Sequence, residues 1–274
     1  MPPHITFVIP VRHQDTVSDW DGVCSRLSDT ISSIESQTND NWQAIIIANN
    51  GAKLPETGHK FSIVRVDMPA NTVKPDPKNM EPFYEAVRSD KGHRILTGLL
   101  SQPISGHVMV VDYDDYVNRH LVEFVSAHAD EPGWYFDCGY FHDGNDFLIY
   151  RQPRLFSHIC GTSHIIRYDL FKLPSKLSEA SEAYVRRMLG SHKFIEKDLA
   201  SSGTPLKPLP FEGAVYRIGY RGATSGSGSI LKEIYPRWIC KPWKIVIRLF
   251  RLRHLNKTIR DDFFGRISFK VKKS

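Results

Sequence analysis

The sequence predicts an α/β fold, a mostly parallel central sheet with helices on both faces. Three observations carry this. Residues 5–11 (ITFVIPV), 42–48 (WQAIIIA) and 107–111 (HVMVV) are continuous apolar runs of strand length. Strands buried on both faces read this way, because neither side alternates with polar residues. Helical stripes separate the runs, and that alternation is the signature of a helix-covered parallel sheet.

Each element follows in order. The first run ends at Pro10. Residues 20–37 place Leu27, Ile31 and Ile34 at helical spacing. The second run ends in the turn residues Asn49, Asn50 and Gly51. Residues 62–66 (SIVRV) form a third, shorter strand, and 67–81, with three prolines, a loop. A helix is expected over 82–100. The next strand runs directly into Asp112-Tyr113-Asp114-Asp115, and a helix over 118–128 follows, with Asn118 as its N-cap. The second half is less regular. Residues 134–150 read as antiparallel strands turning at Asp143-Gly144-Asn145. Helices are expected over 179–189 and 194–200, and 222–229 (GATSGSGS) reads as a linker or a mobile loop.

Composition narrows the class. The chain has 274 residues, 41% hydrophobic and 24% charged, which suits a soluble globular protein with a sizeable core. Net charge is +6, unevenly spread: residues 236–274 hold 12 Lys and Arg against 2 Asp, whereas the rest is slightly acidic. The N-terminus lacks the pattern of a secretory signal, and no apolar run is long enough to span a bilayer. Cys24, Cys138, Cys160 and Cys240 have no metal or redox spacing. These features predict a cytoplasmic protein with free thiols.

The chemistry centres on Asp112, Asp114 and Asp115. Ligands of open α/β sheets bind beyond the carboxyl ends of the strands. Carboxylates gathered there repel one another, and a divalent cation bridging phosphate oxygens compensates them well. The motif alone fits such a site or a solvated turn equally.

Here the chain resembles the GT-A glycosyltransferases, particularly those of family 2. The resemblance covers about residues 4–125 and rests on three blocks in order: ITFVIPV, SIESQTNDNWQAIII (with Gln37, Thr38, Asn41 and Trp42) and VDYDDYV. It implies a GT-A domain over 1–230, with a nucleotide-sugar half (1–125) and an acceptor half (126–230). It also implies a nucleotide-diphospho-sugar donor, a UDP-sugar as first guess, and Mn²⁺ or Mg²⁺. Asp114 would be the metal ligand with Asp115 its partner, and Asp112 would lie near the ribose or sugar. Pro10, Val11 and Arg12 would line the nucleotide pocket with Tyr113. Lys91 and Arg94 would approach phosphate.

The chain also departs from the family. Asn49 and Asn50 stand where an acidic residue usually reads the base. The downstream Glu-Asp pair that supplies a catalytic base is not evident. His192 is the expected base, with Glu182, Glu196 and Asp198 as rivals. Arg217 or Arg221 would neutralise phosphate in place of the family's metal-binding His. His164, in Cys160-Gly161-Thr162-Ser163-His164, could face the acceptor, and Trp134 and Tyr135 could stack on a sugar or pack in the core. A metal-dependent nucleotidyltransferase and an inactive sugar-nucleotide-binding member of the fold are the alternatives.

Residues 231–274 read as a basic amphipathic tail. Lys241, Lys244, Arg248 and Arg251 share a helix face, and Trp243, Ile247 and Phe250 lie among its apolar residues. That composition suits an anionic membrane surface, and so an acceptor that is a sugar or is lipid-linked. No nucleic-acid-binding pattern accompanies the charge, so no nucleic acid is expected.

Overall fold

The computed structural model describes residues 4–220, Ile230 and 249–265. It is a mixed α/β structure with two sheets. In chain order the strands are β1 (Ile5–Pro10), β2 (Trp42–Asn49), β3 (Phe61–Val66), β4 (His107–Val110), β5 (Tyr116–Val117), β6 (Gly133–Tyr135), β7 (Gly139–His142), β8 (Leu148–Gln152), β9 (His164–Arg167), β10 (Lys207–Pro208), β11 (Ala214–Arg217) and β12 (Leu252–His254). The helices are α1 (Trp20–Glu35), α2 (Glu81–Leu100), α3 (Leu121–Ser126), α4 (Glu182–Tyr184), which continues as a π turn over Val185–Leu189, α5 (Ile195–Ser201) and α6 (Lys257–Phe263).

The first sheet has seven strands in the order β10-β6-β9-β4-β1-β2-β3. β4, β1, β2 and β3 are mutually parallel, and β9 runs against both its neighbours, β4 and β6. All six residues of β1 are buried, as a two-sided strand requires. Ile5, Phe7 and Ile9 face a core filled by Val23, Leu27, Ile31 and Ile34 of α1. Val8 faces the opposite core with Ile95, Leu96 and Leu99 of α2. Helices therefore cover both faces, and each apolar run sits where its lack of alternation put it.

The second sheet has five strands in the order β12-β8-β7-β11-β5. β7 and β8 form the expected hairpin, with Gly144 at φ +82 in the turn, a conformation that suits glycine. β12 then pairs antiparallel with β8. Behind it, α6 buries Ile259 and Phe263 in a cluster with Leu255, Phe264, Tyr116, Tyr140 and Val215. Asn256 caps α6 by accepting from the Ile259 amide at 3.0 Å.

Two expectations change. Residues 249–265 belong to the body, because the spacing of Leu255, Ile259, Phe263 and Phe264 gives them an apolar face to bury. The helix expected over 118–128 shortens to α3. Asn118 precedes it, accepting from the His120 amide at 2.9 Å while its own amide donates to the Glu212 carbonyl at 3.0 Å. The rest of the predicted tail (231–248 and 266–274), Arg221 and the Gly/Ser stretch lie outside the described residues. No helix among the described residues is long and apolar enough to cross a membrane.

Candidate functional site

The parallel strands deliver their carboxyl ends to one edge of the first sheet. β1 ends there with Pro10, beside Ile47 of β2. Val11 continues the pairing, donating to the Ile47 carbonyl at 2.9 Å. β4 ends at Val110, and Val111 donates to the Val8 carbonyl at 2.9 Å, which places Asp112 at the rim.

The three carboxylates have different surroundings. Asp112 Oδ1 accepts from Lys91 Nζ of α2 at 2.5 Å. Burial works against the Lys91 charge, yet the nearby Asp112 carboxylate more than offsets it and raises the lysine pKa. Gly161 lies directly over this pair: a Cβ there would stand 2.5 Å from Asp112 Oδ2 and 2.9 Å from Lys91 Nζ. Only a residue without a side chain allows that approach.

Asp114 accepts a hydrogen bond from the Tyr220 hydroxyl. The Arg26 guanidinium lies over the Tyr220 ring, 4.3 Å from its centroid. Burial, then the Asp112 charge, push the Asp114 carboxyl above its usual range. Asp115 is wholly buried. Its Oδ2 accepts from Thr162 Oγ1 at 2.6 Å and from the Cys160 thiol at 3.4 Å; its Oδ1 accepts from the Arg217 amide at 3.1 Å. Burial and its two acidic neighbours raise its carboxyl well above the usual range. Thr162 Oγ1 also accepts from the Asp112 amide at 2.9 Å. Asp115 thus ties the motif to the strands on either side of it.

The oxygens of Asp112 and Asp114 are the donor set that suits Mg²⁺ or Mn²⁺, which are often held by one or two carboxylates together with substrate phosphates. The Asp112 charge already strains Asp114, and a cation would relieve it. Asp115 fits less well, since three donors already occupy its oxygens. Among the described residues no group of three or more His, Cys, Asp or Glu side chains is placed to hold a metal ion.

The other expected residues have differing surroundings. Arg12 Nε donates to Thr16 Oγ1 at 3.2 Å, and its guanidinium also bonds Tyr113. The Tyr113 phenol is pushed up to about 12, by burial first and then by Asp114. Asn49 is buried, its amide donating to the Met68 carbonyl at 2.7 Å. Asn50 is exposed, and its carbonyl accepts from Gln14 Nε2 at 3.2 Å. Arg94 is 1% exposed and forked onto Asp90, one turn back on α2. Arg217 donates to Asp29 at 2.6 Å, and its guanidinium lies over the Tyr116 ring. Trp134 packs in the core against Phe124 and His107.

His192 comes to the same place. With Lys91, Gly161, His164 and Ser191 it lines a cleft floored by Val110. Burial, then the Lys91 charge and His164, push its imidazole down to about 4. Its Nε2 lies 3.3 Å from the His158 carbonyl, which can only accept. The neutral ring therefore donates through Nε2 and keeps a lone pair on Nδ1. His164 Nε2 lies 3.3 Å from Glu196 Oε1, which also accepts from Ser157 Oγ at 2.6 Å. Asp198 is held by Arg187, and Glu182 by His93, both outside the cleft lining.

Three participants escape a reading of the sequence. Tyr220 holds Asp114 from a distant part of the chain, and Thr162, in the segment expected to face the acceptor, holds Asp115 instead. Gly161 stood in a segment already singled out for the acceptor, yet it packs on Asp112 and Lys91.

No protein-family model matches the chain, and no curated protein matches it. Solved structures do align with it. One is mouse xyloside xylosyltransferase 1 in its apo form, with 9% identity and a TM-score of 0.38, over 76% of this chain and 85% of that one. Another is Rv0371c from Mycobacterium tuberculosis H37Rv, in complex with manganese. It shows 11% identity and a TM-score of 0.33, over 79% of this chain and 92% of that one. At such scores neither alignment decides the fold or the chemistry.

Proposed function

We propose that the chain is a glycosyltransferase that moves a sugar from a nucleotide-diphospho-sugar to an acceptor hydroxyl. The observation that carries the reading is the Asp112–Lys91 pair beside Asp114 at the carboxyl edge of the parallel strands. An edge with two carboxylate groups and a fixed cation suits a diphosphate with its divalent metal.

In this reading Asp112 and Asp114 would hold Mn²⁺ or Mg²⁺, and the bound metal supplies positive charge to the departing diphosphate. Lys91 lies on the same carboxylate and adds a second positive charge close by. Arg12, Tyr113 and Asn49 form the nucleotide side of the rim. His192 faces the opposite, acceptor side. Its Nδ1 lone pair takes the acceptor hydroxyl proton, because Nε2 is committed to the His158 carbonyl. A base held down near 4 is weak, so its service depends on proximity more than on proton affinity.

The test is product analysis. The chain, Mn²⁺ and a panel of UDP-, GDP-, CMP- and dTDP-sugars should release the nucleoside phosphate leaving group from one donor, with no pyrophosphate formed from a nucleoside triphosphate and sugar phosphate. Pyrophosphate release would instead identify a nucleotidyltransferase. Binding of a donor without turnover would identify an inactive member of the fold.

A further inference from the structure

One surface of the body is apolar, basic and next to the site. It begins with the turn that leaves β8. Leu155 and Ile159 are 59% and 43% exposed there, and Phe156, next to Leu155, is wholly buried and anchors the turn. Leu155 has φ +59, in the left-handed region that a residue with a bulky side chain adopts only when its surroundings force it. The surroundings are specific. The Leu155 amide donates to Asp137 Oδ1 at 2.9 Å, the Phe156 amide to the Asp137 carbonyl at 3.0 Å, and the Ser157 amide to the Phe136 carbonyl at 2.9 Å. The turn is thus pinned with a leucine held outward, where a glycine would sit without strain.

The second part of the surface comes from the C-terminal strand. The Arg151 amide of β8 donates to the Arg251 carbonyl at 2.9 Å, which brings the start of β12 alongside the end of β8. Leu249 and Phe250, immediately before it, are 50% and 74% exposed. The pairing therefore sets Leu249 and Phe250 at the end of the β8–β12 pair from which the Leu155 turn departs; Arg154 and Arg251 adjoin them in the chain, and Arg253 donates to the Phe250 carbonyl. Exposed apolar groups interleaved with arginines are the combination that suits a bilayer interface with anionic headgroups. A protein partner would leave that excess of positive charge unmatched unless it were itself acidic.

The same segment of chain also runs into the candidate site. The His158 carbonyl holds His192, and Gly161, two residues after Ile159, lies over Asp112 and Lys91.

We infer that Leu155, Ile159, Leu249 and Phe250, with Arg154, Arg251 and Arg253, form a docking surface for an anionic lipid bilayer. The docking stands on this geometry alone. Its corollary rests on the transferase reading: a turn that joins the bilayer contact to His192 makes the acceptor a membrane-borne, lipid-linked molecule.

The test uses the full chain and sedimentation with vesicles of phosphatidylglycerol in phosphatidylcholine, against phosphatidylcholine alone. The variants are Leu155→Gly and the double substitution Leu155→Gly, Phe250→Ser. Leu155→Gly removes the apolar side chain and the backbone strain together, so its Tm should hold or rise. The wild type should sediment only with the anionic vesicles. The double variant should bind them at least about tenfold more weakly, the effect of withdrawing two large apolar side chains from a bilayer. A Trp placed at Leu155 should shift its emission to the blue with those vesicles. Unchanged binding by the double variant would overturn the proposal, and so would a wild type that ignores anionic vesicles. Nucleotide-sugar binding, measured separately on the double variant, should be unaffected. A failure there concerns the donor reading and not the docking.

Discussion

The two sheets differ in how their residues come together, and the candidate site sits on the seam between them. Four neighbouring strands of the first sheet, β4-β1-β2-β3, are parallel and come from the first 110 residues, with α1 between β1 and β2 on one face and α2 between β3 and β4 on the other. Three of them are apolar runs that announce themselves, while β3, at the sheet edge, alternates between buried and exposed residues. The second sheet is assembled from short pieces: two residues at β5, a hairpin at β7 and β8, and strands from residues 214–217 and 252–254. Of these only the hairpin is legible, through its Asp143-Gly144-Asn145 turn; a strand of two to four residues carries too few positions to show a period. The first sheet therefore sets out the carboxylates, and segments from the later half secure them. Asp115 shows this most directly, bonded to Thr162 on the approach to β9 and to Arg217 of β11.

This division can be broken at the second sheet. Phe263→Ala should lose about 3–5 kcal/mol in urea denaturation, because it empties a site in the small core behind β12. A loss below about 1 kcal/mol would show that residues 249–265 do not belong to the body, as a free tail would not.

The seam itself comes next. Asp115→Ala strands the Thr162 hydroxyl, the Cys160 thiol and the Arg217 amide, all of which now donate to that carboxylate. The expected loss is about 2–3 kcal/mol by the same measurement. Asp114→Ala removes a carboxylate that accepts from the Tyr220 hydroxyl, and should cost less. If the two losses are equal, Asp115 is not the special bolt between sheets.

Gly161→Ala sharpens the comparison by separating site from scaffold. The added Cβ meets the ends of the Asp112 and Lys91 side chains rather than backbone, so the fold should keep its stability. Nucleotide-sugar affinity should fall by about tenfold, some 1.4 kcal/mol, as the pair is pushed apart. Calorimetric titration reads the affinity, and an unchanged value would remove that pair from the donor site.

A further effect concerns pH. His192 is pushed down to about 4, so the folded chain resists its protonation while the unfolded chain takes the proton at about 6.5. Its contribution to stability is complete above about 6.5 and is lost as pH falls towards about 4. Asp114 and Asp115, held high by burial, work in the opposite sense: their cost grows as pH rises. The difference between wild type and His192→Gln isolates the imidazole. The variant should lose less stability on acidification through that window, and parallel Tm curves would contradict the burial argument.

Much of the first sheet could be read from sequence, since burial on both faces leaves no alternative to an apolar run. The site could be read only in part. Asp112, Asp114, Asp115 and Lys91 lie on or near regular elements, where strand ends and helix turns place them. Tyr220 and Thr162 meet the motif across 106 and 47 residues of chain, and no local pattern encodes such meetings. The C-terminal segment misled for a different reason. Its basic residues suggested one continuous tail, whereas the apolar residues of 255–264 are spaced for packing on the body.

The most direct test of the central claim is a thermal-shift comparison of UDP-, GDP-, CMP- and dTDP-sugars, with and without Mn²⁺, on wild type and Asp114→Ala. A donor at tenfold excess over its Kd should add on the order of 1.4 kcal/mol to the wild type. The account predicts a shift with one nucleotide, dependent on Mn²⁺ and lost in the variant. No Mn²⁺-dependent shift with any donor, or one that survives in Asp114→Ala, would contradict it.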